Sequence, residues 1–150
     1  MRALRAFTVV VLGLGLIAAA CGGGSSSSES PAQAQTKIKA AYADFFDPSK
    51  PLTEKTALME NGNAIVACLQ TQSTNPQLKQ LGGAQVVDVT LQGSGKATLK
   101  FNLVGPAQGS TPPATLTPAP FPGTAVKQNG TWKVTQQTFN YLLGLGGTHC

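Results

Sequence analysis

The apolar period of this chain changes once, at Gly82-Gly83, and that change sets the kind of fold open to it. Before it, apolar residues recur three and four apart. Ile38, Ala41, Tyr42, Phe45 and Phe46 form one stripe, which predicts a helix from Pro31 to Phe46. Asp47-Pro48 stops it, because proline disfavours helical backbone in the residue before it. A second helical piece is expected from about Leu52 to Glu60, with Thr53 or Ser49 as cap and Gly62 as stop. A third runs from Asn63 to about Gln72, and Asn75-Pro76 opens a short turn of helix through Leu78 and Leu81. After Gly83 the period is two. Val87, Val89 and Leu91 alternate with Asp88 and Thr90. Gly93-Ser94-Gly95 turns the chain, and Ala97, Leu99, Phe101 and Leu103 alternate in the return strand. Six prolines between residues 105 and 123 forbid a central strand through most of that stretch. Strands resume at 124–128 and 131–136 around Asn129-Gly130, the dipeptide of a type I′ hairpin turn. Phe139, Tyr141, Leu142 and Leu143 make a last short apolar element.

Helices followed by antiparallel hairpins are the α+β arrangement. The helices have a stripe to bury and the strands have one apolar face to receive it. The expected architecture is N-terminal helices packed on a curved antiparallel four-stranded sheet. This element order is similar to that of the cystatin-like and nuclear-transport-factor-like folds, and element order by itself carries no function. The division expected is a leader over 1–20, a tether over 21–34 and one domain over 35–150 that carries the proline-rich loop 105–123.

The leader is an address. Arg2 and Arg5 precede an uncharged run from Phe7 to Ala20, too short for the roughly 20 apolar residues a bilayer span needs and suited to a secretory signal. Cys21 follows Ala18-Ala19-Ala20, which resembles the lipobox of bacterial lipoproteins; it departs from that pattern at Ala18, where leucine is usual. Lipidation of Cys21 is the expectation, with plain secretion after Ala20 as the alternative. Gly22-Gly23-Gly24 and Ser25 to Ser28 then read as a tether without core-forming residues. The expected location is the outer face of the cell membrane, held there through the acylated Cys21.

Charge excludes other partners. The formal net charge is +5, and without the leader nine lysines face six acids, or +3. Those lysines are scattered, with no run longer than a Lys-x-Lys pair, whereas a nucleic-acid groove needs clustered cations interleaved with aromatics. No nucleic-acid partner is expected. Composition also excludes a coiled coil, a multi-helix membrane protein and a zinc-finger array. With Cys21 acylated, Cys68 and Cys150 remain. In an oxidising compartment an even pair reads first as a disulfide, here closing a loop of about 83 residues, with two free thiols as the alternative. A metal site would have only His149, Cys150 and Cys68, too few for a closed tetrahedral set, and no metal or cofactor is expected.

Several spaced pieces occur in one order: Phe45-Phe46-Asp47-Pro48, Lys55-x-x-Leu58-x-Glu60-Asn61-Gly62, Ala97-x-Leu99-x-Phe101, Asn129-Gly130-Thr131-Trp132-Lys133-Val134 and Thr138-Phe139-x-x-Leu142-Leu143. This set resembles the low-molecular-weight secreted antigen family of mycobacteria and related actinobacteria, the MTB-twelve-like antigens, over roughly residues 35–145. The resemblance implies an exported, envelope-associated protein and brings no catalytic residues with it. The chain departs from the family in its lipobox cysteine and its proline-rich insertion.

An enzyme would need a nucleophile with a base, a carboxylate pair or a metal. His149 stands next to the C-terminal residue, and the acids Asp44, Asp47, Glu54, Glu60 and Asp88 are dispersed, with Glu54 and Glu60 expected on exposed helix positions. Tyr42 and Asp88 loosely imitate a tyrosine–aspartate pair used for isomerase chemistry in a related fold, though the spacing does not require it. The expectation is therefore a non-enzymatic binding or interaction domain for an envelope lipid, a small apolar molecule or an envelope protein. Tyr42, Phe46, Phe101, Trp132 and Phe139 would line its cavity, a filled core being the alternative. An enzyme using the same cavity and a structural spacer are the competing functions.

Overall fold

Ser30 begins the folded chain by closing a capping box. Its hydroxyl accepts from the Gln33 amide at 3.3 Å, and its own amide donates to the Gln33 side chain at 3.0 Å. Pro31 occupies the first helical position, where its missing N–H costs nothing. Helix α1 (Pro31–Phe46) follows and ends at Asp47, as the Asp47-Pro48 pair predicts; the Asp47 carboxylate accepts from the Ser49 amide at 2.8 Å and the Ser49 hydroxyl at 2.7 Å. The tether is thus shorter than 21–34: residues 31–34 are the first turn of α1, and Ala34 is already buried. In this computed structural model the described residues are 29–76 and 80–148.

Helices α2 (Leu52–Ala57) and α3 (Val66–Ser73) are joined through a 3-10 turn (Gly62–Ile65). Gly62 begins that turn instead of merely ending a helix. A Cβ there would lie 1.9 Å from the Thr56 carbonyl oxygen, so only glycine fits. The short helical turn expected after Asn75-Pro76 falls largely on residues 77–79, outside the described residues.

The sheet is a meander, β1 (Gly83–Gln92), β2 (Lys96–Val104), β3 (Phe121–Gln128) and β4 (Thr131–Val134), in spatial order 1-2-3-4 and antiparallel throughout. The Asn129-Gly130 turn has positive φ at both residues, 51° and 81°, as a type I′ turn requires. Strand β1 differs from expectation. Its register slips between Val86 and Asp88, leaving Val87 as the extra residue of a bulge. Ala84 and Val86 face inward before the bulge and Val89 and Leu91 after it, while Val87 is 47% exposed.

Strand β3 starts earlier than expected, within the proline-rich stretch, with Phe121 opposite Phe101 and Pro122 opposite Lys100. Proline is tolerated because β4 pairs only with residues 125–128, so Pro122 lies on a half of β3 that has no strand on its outer side. The rest of the loop is tied down: Leu116 donates its amide to Leu103, and Gly105 to Ala114, each at 2.8 Å. The last apolar element is a helix, α4 (Gln136–Leu145), capped by the Thr135 hydroxyl on the Thr138 amide. The far edge of β4 is covered by a parallel bridge between Met59 and Val134. Glu60, expected on an exposed helix face, follows that bridge and accepts the Gln136 amide at 3.2 Å, a carboxylate at the positive end of α4.

The core lies between α1 and the inner face of the sheet. Tyr42, Ile38, Phe101, Met59 and Val134 are its largest fully buried side chains. Gly123 permits a close approach between helix and sheet: a Cβ there would stand 2.8 Å from the Tyr42 hydroxyl and 3.0 Å from both Leu99 Cδ1 and Phe101 Cε1. At the other end of α1, Glu29 fastens the chain. Its carboxylate lies 2.7 Å from the Lys37 ammonium and 2.9 Å from that of Lys127, and accepts from the Trp132 indole N–H at 2.8 Å. These partners, Lys37 first, lower its pKa from 4.5 to about 2.

Two outcomes are expected. Gly123→Ala destabilises the fold by about 1–3 kcal/mol, the usual cost of overpacking a filled core, and urea denaturation measures it; an unchanged midpoint would show that Tyr42 yields freely. Glu29 contributes stability that is complete above its unfolded pKa of 4.5 and lost as pH falls toward about 2. The stabilities of the native chain and Glu29→Gln therefore converge across that window, and a gap independent of pH would contradict the clamp.

Candidate functional site

The aromatic residues expected to line a cavity fill the core instead. Tyr42 packs edge-on to Phe101 with centroids 5.2 Å apart, and Phe46 stacks on Phe101 at 5.7 Å. Phe139 meets Phe45 at 5.9 Å in a T-shaped contact, and Trp132 is buried with its indole turned to Glu29. Tyr42, Phe46 and Phe101 are thus brought together, while Phe139 and Trp132 are held by other partners. An aromatic stripe has the same sequence signature whether it lines a space or fills one; here ring meets ring.

A knot of hydroxyls lies beside this core. The Tyr42 hydroxyl donates to the Thr124 carbonyl at 2.7 Å and lies 3.3 Å from Thr138 Oγ1. Thr138 Oγ1 accepts the Thr124 amide at 2.8 Å and sits 3.1 Å from Thr135 Oγ1. Helix α4 thereby supplies the acceptor that a strand would have offered to the open half of β3. Burial pushes the Tyr42 phenol up to about 12, so it stays protonated at neutral pH. Tyr42 and Asp88 cannot act as a pair, because Tyr42 is in the core and Asp88 is exposed on the opposite face of the sheet.

The open space is on that opposite face. A groove of about 410 Å³ runs between the outer face of β1–β3 and one side of α4. Its floor is a grid of two cross-strand rows, Asp88–Lys100–Pro122 and Thr90–Thr98–Thr124. Gln137, Thr138 and Tyr141 of α4 form its wall. None of the five residues expected around a cavity lines it. A larger depression of about 700 Å³, between α2, the 3-10 turn and the β3–β4 hairpin, is lined by polar residues such as Asn61, Asn63, Gln128 and Lys133, without an aromatic or an acid.

Of the cysteines, Cys68 sits on α3, partly buried against the core, while Cys21 and Cys150 lie outside the described residues, so neither lipidation nor the Cys68–Cys150 pairing is visible here. Among the described residues no group of three His, Cys, Asp or Glu is placed to hold a metal, and no helix is long and apolar enough to cross a membrane.

The crystal structure of a protein described as an NTF2-like transpeptidase from Campylobacter jejuni superimposes on this chain with a TM-score of 0.40 at 8% identity, over 71% of this chain and 98% of that one. No curated protein matches the sequence. Residues 31–150, from the first residue of α1 onward, match the family described as "Low molecular weight antigen MTB12, C-terminal domain", and the chain belongs to that family.

Proposed function

We propose that this chain is an exported, lipid-anchored domain of the cell envelope that works by binding, without catalysis, and that the groove beside α4 is its binding surface. The groove carries this reading: it is the place where side chains of several elements converge on open space with a half-exposed aromatic at the rim. Its volume falls within the roughly 300–1,000 Å³ of small-molecule sites. The groups around it favour holding a ligand over reacting with one. They are threonine hydroxyls, a tyrosine phenol, an amide, a carboxylate and an ammonium, with no thiol or imidazole among them and no hydroxyl hydrogen-bonded to the Asp88 carboxylate or the Lys100 side chain to be activated by it. The buried Tyr42 phenol comes from the core side of the sheet, and its hydroxyl is already engaged by Thr124 and Thr138.

The anchor rests on sequence. Cys21 behind Ala18-Ala19-Ala20 supplies the acceptor thiol, and two or more acyl chains give a membrane hold that one alone does not. Membership of an antigen family fits an envelope or extracellular location. Cys68 and Cys150 form the disulfide of the exported protein, tying α3 to the C-terminal end.

The exported protein carries a diacylglycerol thioether on Cys21, read by intact mass, and Cys21→Ala moves it from the membrane fraction to the medium. An unmodified N-terminus after Ala20 would replace the anchor by plain secretion. Non-reducing peptide mapping finds Cys68 joined to Cys150, and reduction lowers stability by about 4–5 kcal/mol in the chain-entropy estimate for a loop of this length. Two free thiols would remove the bridge.

A further inference from the structure

The groove has a specific chemical character. Asp88 and Lys100 stand directly across from each other in the β1–β2 ladder, so their Cβ atoms are about 5 Å apart. They line the same space and leave it close to neutral. Both are exposed, and neither side chain makes an ion pair or hydrogen bond among the described residues. The same holds for the side chains of Thr90, Thr98 and Gln137. The groove therefore presents donors and acceptors that are not engaged by the protein. The two rows span three strands, with strands about 4.8 Å apart and rows about 6.7 Å apart, a grid of roughly 10 by 7 Å. Tyr141, 44% exposed, is the most exposed aromatic among the described residues, and its ring is held edge-on by Phe121 at 6.4 Å.

Three ligand chemistries meet this surface differently. An apolar molecule would strip water from Asp88 and Lys100 and return nothing to either charge. A phosphate or other anion would gain Lys100 but face the Asp88 carboxylate across the ladder, and a cation would meet the reverse. A polyhydroxylated ring meets neither cost. Its hydroxyls donate to the carboxylate and the threonines and accept from the ammonium and the Gln137 amide. Its C–H face lies on the Tyr141 ring, whose rim position combines apolar area with a polar end.

We propose that the groove between the outer sheet face and α4 binds a carbohydrate, with Asp88 and Lys100 gripping ring hydroxyls and Tyr141 as the stacking platform. This rests on the groove being the binding surface, and it names the ligand class. Tyr141 is used for its ring, so Tyr141→Phe retains binding and Tyr141→Ala loses it. Asp88→Asn keeps the shape but weakens the grip on vicinal hydroxyls.

The test is amide NMR of the full exported chain, in its Cys21→Ala form for solubility, titrated with methyl glycosides of glucose, galactose, mannose and arabinose. Cyclohexanol and inorganic phosphate serve as the apolar and anionic probes. The expected result is saturable shifts at residues 88–100, 122–124 and 137–141 with at least one glycoside. Affinity falls at least tenfold in Tyr141→Ala and in Asp88→Asn and is kept in Tyr141→Phe, with far-ultraviolet circular dichroism unchanged in all three. Saturation by cyclohexanol or phosphate alone would overturn the carbohydrate assignment and leave the groove as a binding surface. Binding of a glycoside elsewhere, or undiminished by Tyr141→Ala and Asp88→Asn, would also overturn it. No shift at the groove with any probe would overturn both.

Discussion

The hydroxyl of Tyr42 is where the helix, the sheet and α4 are joined. Its ring fills the space between α1 and β2, and its oxygen reaches β3 where that strand has lost its outer neighbour. Strand β4 is four residues long, so the half of β3 carrying Phe121 to Thr124 would otherwise leave its backbone groups unpaired on one side. At Thr124 the amide donates to the Thr138 hydroxyl, and the carbonyl accepts from the Tyr42 phenol and, at 3.3 Å, from the Thr135 amide. Gly123 has no side chain, and that absence admits the phenol to the position. The path of α4 follows: Thr135 caps it, Thr138 holds it to β3, and its other side is left to form the wall of the groove.

Much of this frame was legible in the chain. The stripe from Ile38 to Phe46, the stop at Asp47-Pro48 and the type I′ turn at Asn129-Gly130 each rest on local chemistry that tertiary packing did not override. Where the structure departs from expectation, each departure has a physical reason. The expected tether over 21–34 overlaps the helix expected from Pro31 by one turn, and the Ser-x-x-Gln capping pair of Ser30 and Gln33 decides that overlap for the helix. Strand β1 alternates on both sides of Val87 but in opposite phase, and simple alternation cannot reveal a phase change. The adjacent Val86-Val87 was the signal. Pro122 looked like a loop residue because its tolerance depends on where β4 ends, a tertiary fact. Phe139 to Leu143 is too short a run for period alone to tell helix from strand.

The candidate site was less legible than the fold, for a reason that concerns side-chain type. Aromatic residues draw attention as cavity lining, but the interior here is close-packed, so they serve as filler. The groove is made from residues that look like ordinary solvent-facing positions, Asp88, Thr90, Thr98 and Lys100, and they become a surface only because β1, β2 and β3 set them in two rows beside α4. The low charge content of the chain bears on this. With 11% charged residues, an opposed carboxylate and ammonium on one patch of sheet stand out against a surface made largely of uncharged polar groups.

The clamp at Glu29 and the Tyr42 knot also set an order in time. Glu29 meets Trp132 across 103 residues, and Tyr42 meets Thr138 across 96. A chain made N-terminus first at about 5–20 residues per second takes about 5–20 s to add that many residues. For most of that interval α1 has its apolar stripe and none of the β3, β4 or α4 groups that cover it. The first helix is therefore the last to be settled, and the chain completes its core only when its C-terminal end has arrived. For the export proposed above, that delay would keep the folded state out of reach until nearly all of the chain is available to cross.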